Sequence, residues 1–253
     1  MIKVFRREFG WHRRIAYLFG YDLIRLKKLK HLSAEHHLRR LIETLEIDAI
    51  LDVGANTGQF ASLVRSLGYR GYIFSFEPIP ELYLSLCDKS RSDDNWFVYP
   101  VALGSFDERK NLNLTEDSAF SSFYDPSAFA LDRWELAKIE SRVEVDVKRL
   151  DSFYAEVLED FDLNRFFLKM DTQGHDLEVF NGAAGILPKL SGLQSELQVI
   201  PAYDQVAGYL AVLDCYNQAG FSITGLYPIA RDNESMAIIE FDCFMRNAHH
   251  SEG

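Results

Sequence analysis

From residue 49 onward the chain alternates short apolar runs with stretches of helical periodicity, the pattern of a parallel sheet covered on both faces. "AILDV" (49–53) predicts a first strand, and the residues from about Gly58 to Leu67 a helix. "GYIFSFE" (71–77) predicts a second strand, followed by a helix opened by "PIPEL", where proline at an early helical position costs no hydrogen bond. "WFVYPVAL" (96–103) reads as a third strand and residues 104–141 as a long irregular insertion. "RVEVDVKRL" alternates with period two, as an exposed or edge strand leading into a helix near Asp151 does. "RFFLKMD" (165–171) and "GLQSELQVI" (192–200) predict two more buried strands, and residues 204–219 a helix. "GFSITGLY" and "MAIIEFDCFM" close the chain as two strands joined by a short polar loop, an antiparallel pair if they bond directly.

The N-terminal 46 residues do not share this pattern. Residues 1–40 carry eleven Lys or Arg against three acids, so of the chain's 27 bases and 38 acids the remainder keeps 16 and 35. The segment "FRREFGWHRRIAYLFGYDLIRLKKLKHL" mixes aromatic and aliphatic residues with bases at roughly helical spacing. It reads as a basic helical arm that packs on the main domain or a second subunit, lies on an anionic membrane surface, or is simply solvated. The expected division is therefore an arm over 1–46, a main domain over 47–247 and a short tail over 248–253. The acidic body is a poor match for a nucleic-acid backbone. No apolar run approaches the roughly 18 residues of a membrane span. The N-terminus lacks the layout of a secretory signal, and Cys87, Cys215 and Cys243 form no CxxC pair, so the expectation is a cytoplasmic chain.

In a doubly wound sheet, ligands bind beyond the carboxyl ends of the strands. Five polar features fall there: Asp52 to Gly58, Glu77, the turn after Ala102, Asp171 and Glu196. Gly54 and Gly58 permit a tight turn, but their GxxxG spacing is neither a phosphate-binding loop nor the NAD fingerprint. Asp52 places a negative charge where a pyrophosphate would be repelled and an ammonium or sulfonium would be at ease. Glu77, a little over twenty residues beyond the turn, is placed to accept from ribose hydroxyls, a contact that NAD and S-adenosylmethionine share.

"DVGANTGQF", "FEPIP", "VALG", "FSSFYD", "KRLDSF" and "LKMDTQGHDLEVFNGA", in this order, resemble the motif blocks of the FkbM family of S-adenosylmethionine-dependent methyltransferases over about residues 48–245. The resemblance implies an α/β, Rossmann-like class I methyltransferase fold, with a mostly parallel seven-stranded sheet whose last strand is antiparallel. It implies O-methylation of an aliphatic hydroxyl on a saccharide, such as a surface-polysaccharide or glycolipid precursor, or on a polyketide-type metabolite. By the same carry-over Asp52, Gly54, Ala55, Asn56, Thr57, Gly58 and Phe60 would hold the methionine end of S-adenosylmethionine. Glu77 with Pro78 would hold the ribose, Ala102 the adenine edge, and Asp171 would lie between donor and acceptor. Where the family commonly reads Lys-x-Asp-x-Glu-Gly-x-Glu, Gln173 and Asp176 replace the glutamates, so no metal is expected.

Methyl transfer to oxygen needs in-line alignment and a base for the departing proton. Six of the seven histidines lie in the terminal segments, which leaves His175 and Asp171 as candidate bases. The 104–141 insertion is the natural acceptor lid. Its Ser121 and Ser122 can bond sugar hydroxyls, and Tyr124 and Trp134 offer faces for stacking, with Glu196 and Tyr203 as further walls. An NAD-dependent oxidoreductase or epimerase shares Glu77 but would want GxGxxG and a Tyr-x-x-x-Lys pair. A non-catalytic membrane-associated protein would have no use for an intact glycine loop.

Overall fold

Seven strands make one sheet: β1 (Ala49–Val53), β2 (Tyr72–Phe76), β3 (Trp96–Tyr99), β7 (Phe166–Met170), β8 (Leu190–Gln198), β9 (Phe221–Arg231) and β10 (Ile238–Asn247). Their order is β3-β2-β1-β7-β8-β10-β9, with β10 antiparallel to both neighbours and the other pairings parallel. This is the mostly parallel class I sheet with an antiparallel last strand that the resemblance implied. The computed structural model describes residues 11–21, 23 and 33–251. Of the basic arm, residues 1–10, 22 and 24–32 lie outside the described residues.

Alternation along the strands sends side chains to two separate cores. Ile50, Ile73 and Phe167 meet helices α2 (Ala34–Thr44), α3 (Gln59–Ser66) and α4 (Pro80–Ser90) through Leu38, Leu41, Ala61, Val64 and Leu86. Leu51, Phe74 and Leu168 face the other way, against Leu150 and Phe153 of α6 (Leu150–Phe153), Val179 and Phe180 of α7 (Asp176–Asn181), and Val212 and Tyr216 of α8 (Tyr209–Gln218). The inner end of the basic segment is thus a packed layer: α2, capped by Ser33 accepting from the His36 backbone N–H, buries Leu38, Leu41 and Ile42. Ahead of it, α1 (Trp11–Leu18) is a short helix whose large apolar side chains are exposed.

Three expectations from the sequence change. "WFVYPVAL" is two strands, because Pro100 offers no backbone N–H to continue the ladder. After it the chain leaves the main sheet, and β4 (Ala102–Leu103) pairs parallel with β6 (Ile139–Lys148) in a second sheet. The 104–141 segment is not irregular throughout: β5 (Glu108–Thr115) runs antiparallel along β6, and a short helix, α5 (Ala128–Arg133), follows. Its "ERKNLNLT" buries only Leu112 and Asn113, too little apolar alternation to announce a strand. Finally, α8 starts after Gly208 rather than at 204, since Asp204 donates its backbone N–H to Asp125 and Gln205 adopts a left-handed φ of 64°.

Candidate active site

A cavity of about 590 Å³ opens at the carboxyl ends of β1, β2, β7 and β8, and Ser118, Ala119, Phe120, Ser121 and Phe123 of the insertion also line it. Gly54, Ala55, Asn56, Phe60, Glu77, Pro78 and Ala102 line it, as do Ser121, Asp171, His175 and Glu196. Asp52, Thr57, Gly58, Ser122, Tyr124 and Tyr203 are not among the residues that line it.

The turn is built by two glycines with different tasks. At Gly54 (φ +71°) a Cβ would lie 2.0 Å from the Asp171 carbonyl oxygen, so the loops after β1 and β7 touch only because no side chain intervenes. At Gly58 (φ +79°) a Cβ would meet Leu86 at 2.8 Å and the Trp96 ring at 3.1 Å. Gly58 therefore does the seating of helix on strand that the missing third glycine would perform in a dinucleotide fold.

Glu77 is held by the turn it faces. One carboxylate oxygen accepts from the Asn56 backbone N–H and the other from that of Ile79, each at 2.8 Å. Burial raises its pKa and the two backbone donors oppose the rise. Each oxygen retains acceptor capacity toward the cavity, which suits a ribose diol. The wall beyond it, Ile79, Leu82, Ala102 and Leu112, is apolar and suits a purine face.

Asp52 is fully buried and does not reach the cavity. It accepts from Ser75 Oγ at 3.0 Å and pairs with Lys169 Nζ at 3.2 Å. The pairing follows from strand register, which sets Ser75, Asp52, Lys169 and Gln194 side by side on four adjacent strands. Lys169 also donates to the Gly54 carbonyl at 2.9 Å and lies 3.6 Å from Asp171. Burial lowers its pKa, but the carboxylates of Asp52 and Asp171 outweigh that and raise it, so the ammonium keeps its charge. Sequence reasoning passed over Lys169, although a lone lysine inside "RFFLKMD" was the available signal.

The substitutions at 173 and 176 have structural roles. Asp176 is buried and accepts from Thr172 N, Thr172 Oγ1, Ser195 Oγ and Glu196 N at 2.6–3.0 Å, tying the β7 turn to β8. Gln173 donates from Nε2 to Asp171 Oδ1 at 3.1 Å and to Glu196 Oε1 at 3.2 Å, bridging two carboxylates that a glutamate there would repel. Tyr203, buried, donates to Gln173 Oε1 at 2.8 Å, and Ser122 donates to the Gln173 carbonyl at 2.7 Å. Both support the bridge from behind.

Glu196, Glu240 and Asp242 give the cavity an acidic wall, and Phe120 and Trp134, whose rings lie 5.6 Å apart, line it as well. Burial pushes all three carboxyls up, and their mutual repulsion with Asp171 adds to it; Asp242 reaches about 6. Glu240 and Asp242 were not singled out in the sequence, because only the place of β10 beside β8 brings them to the cavity. No group of three or more His, Cys, Asp or Glu among the described residues is arranged to hold a metal ion. His175 is buried between Phe123 and Tyr124, with Nδ1 3.4 Å from the Tyr124 hydroxyl. Burial first, and Lys110 second, hold its pKa down to about 3, so it is neutral.

The sequence profile described as "Methyltransferase FkbM domain" matches residues 52–222. The chain belongs to the FkbM methyltransferase family. It is a methyltransferase that uses S-adenosylmethionine, and the glycine turn, Glu77 and the apolar wall fit that donor. Similar solved structures include a fibrillarin of Aeropyrum pernix in complex with S-adenosyl-L-methionine, at 14% identity over 84% of this chain and 73% of that one, TM-score 0.46. An S-adenosylmethionine-dependent methyltransferase from Aquifex aeolicus shares 10% identity over 88% and 94%, TM-score 0.43. A precorrin-6y C5,15-methyltransferase from Geobacter metallireducens shares 12% over 85% and 89%, TM-score 0.43. No curated protein matches the chain.

Proposed function

We propose that this FkbM methyltransferase O-methylates a hydroxyl group of a saccharide, a precursor of a surface polysaccharide or glycolipid. The observation that carries the reading is the make-up of the cavity, which Glu196, Glu240 and Asp242 line together with Phe120 and Trp134. Carboxylates accept from vicinal hydroxyls, and aromatic faces take the apolar face of a sugar ring. The three cysteines are free and no described helix is long and apolar enough to cross a membrane, features in keeping with an enzyme acting in the cytoplasm.

S-adenosylmethionine supplies an electrophilic methyl group, and this chain's residues do the rest. Glu77 and the apolar wall would hold the donor's nucleoside end, and the Gly54 and Asp171 loops, locked together through Lys169, would hold its methionine end. Asp171 and Glu196, held at fixed separation by Gln173, orient the acceptor hydroxyl. Its proton passes to the acidic wall, where Asp242, at about 6, is matched to neutral pH. His175 is too weak a base for this role and shapes the cavity instead.

The test is methyl transfer from labelled S-adenosylmethionine to a panel of nucleotide sugars, oligosaccharides and glycolipids beside macrolide and polyketide alcohols, with the product located by NMR. A methyl ether on a sugar oxygen is expected. Turnover of polyketide alcohols alone, or a methyl group on nitrogen, overturns the reading.

A further inference from the structure

The basic arm is unexplained by methyl transfer, and its chemistry is that of an interface. Residues 1–30 carry nine Lys or Arg against two acids, and residues 1–21 hold six aromatic side chains. Within the described part, Trp11, Ile15 and Leu18 of α1 share one helical stripe and are 75%, 49% and 83% exposed. Tyr17, Phe19 and Tyr21 beside them are at least 69% exposed. Exposed aromatic and aliphatic side chains set among cations combine the two forces that hold a peripheral segment on lipid: burial of apolar groups at the headgroup boundary and attraction to anionic headgroups.

We infer that the N-terminal arm docks the enzyme on an anionic membrane surface. Charge complementarity, with the exposed apolar stripe, supports this occupant: the arm is cationic and drawn to an anionic surface, whereas the rest of the chain, 16 bases against 35 acids beyond residue 40, is repelled by it. A second copy of the chain is the competing occupant: Leu84, Phe106 and Leu210 are exposed on separate elements, but Ile223, Leu226 and Ile229 are half exposed along the edge strand β9, and the experiment is chosen to separate the two. Docking brings the active site to lipid-linked acceptors; that consequence alone rests on the saccharide reading.

The experiment is co-sedimentation of the full chain with vesicles of phosphatidylcholine alone and with about 30% phosphatidylserine. Selective pelleting with the anionic vesicles is expected, released by about 0.5 M salt. Two triple variants, Trp11→Ser/Ile15→Ser/Leu18→Ser and Lys27→Glu/Lys28→Glu/Lys30→Glu, should each lower the bound fraction about tenfold or more while S-adenosylmethionine binding by calorimetry is unchanged. Failure to pellet, or equal pelleting on both vesicles, overturns the proposal. So does a concentration-dependent dimer in light scattering that the first variant dissolves without any vesicle binding, which assigns the arm to a second copy. Methyl transfer is absent from these readouts, so the acceptor reading can fail independently.

Discussion

Asp52 and Lys169 stand opposite one another in the register of β1 and β7, carboxylate to ammonium at 3.2 Å, with side chains 0% and 5% exposed. An aspartate that the sequence offers to the cofactor is instead spent on a buried lysine, and that lysine carries the glycine turn through the Gly54 carbonyl. Charge in this fold lies under the binding loop as well as on it.

Lys169→Met strands Asp52 as an unpaired buried charge. The expected loss is about 3–5 kcal/mol of stability in urea unfolding. Adding Asp52→Asn should restore much of it, because the stranded charge is then gone; no recovery in the double variant would refute the pairing as the cause.

Glu77→Gln keeps the shape of the side chain and removes its charge. Affinity for S-adenosylhomocysteine, measured by calorimetry, should weaken about 10- to 100-fold, the worth of hydrogen bonds to a charged acceptor. Unchanged affinity would remove Glu77 from the donor site.

His175 gives the fold an acid sensitivity. Its folded pKa is about 3 against an ordinary 6.5. Between those values the unfolded chain binds a proton that the folded chain refuses, so stability falls as pH drops, by about 1.4 kcal/mol per unit. Urea melts of wild type and His175→Gln across this window should differ by that slope, and parallel curves would contradict a buried neutral histidine.

The acidic wall should set the acid limb of catalysis. With a saccharide acceptor, kcat/KM should rise through pH of about 6 as Asp242 ionises, and Asp242→Asn should flatten that limb. Glu196→Gln should lower turnover by about 100-fold or more with donor affinity intact. A wild-type limb retained in both variants would move the base elsewhere.

Gly58→Ala places a methyl group against Leu86 and Trp96 at a left-handed φ. The conformation alone costs about 1–2 kcal/mol, before any repacking, and calorimetric melting should show the drop.

Much of the architecture was legible because its signals are local. "AILDV", "GYIFSFE" and "RFFLKMD" are dense enough in apolar residues to be nothing but inner strands, and the closing antiparallel pair followed from its short connection. β5 escaped because its partner, β6, supplies the pairing that its own charged residues do not advertise. Gly54, Glu77 and Asp171 could be placed from strand ends alone. Glu240 and Asp242 could not, since their relevance comes from β10 being inserted next to β8.

By itself the sequence determined the family, the donor and the succession of strands and helices in the main sheet, because glycines, turn acids and hydrophobic period act over a few residues. Only the tertiary structure decided which charges meet. Asp52 lies 117 positions from Lys169, and Asp171 lies 25 from Glu196; register and the Gln173 bridge bring each pair together. Whether a carboxylate faces a ligand or a buried ammonium depends on which strand lies beside it, and that neighbour is chosen by packing across the whole sheet.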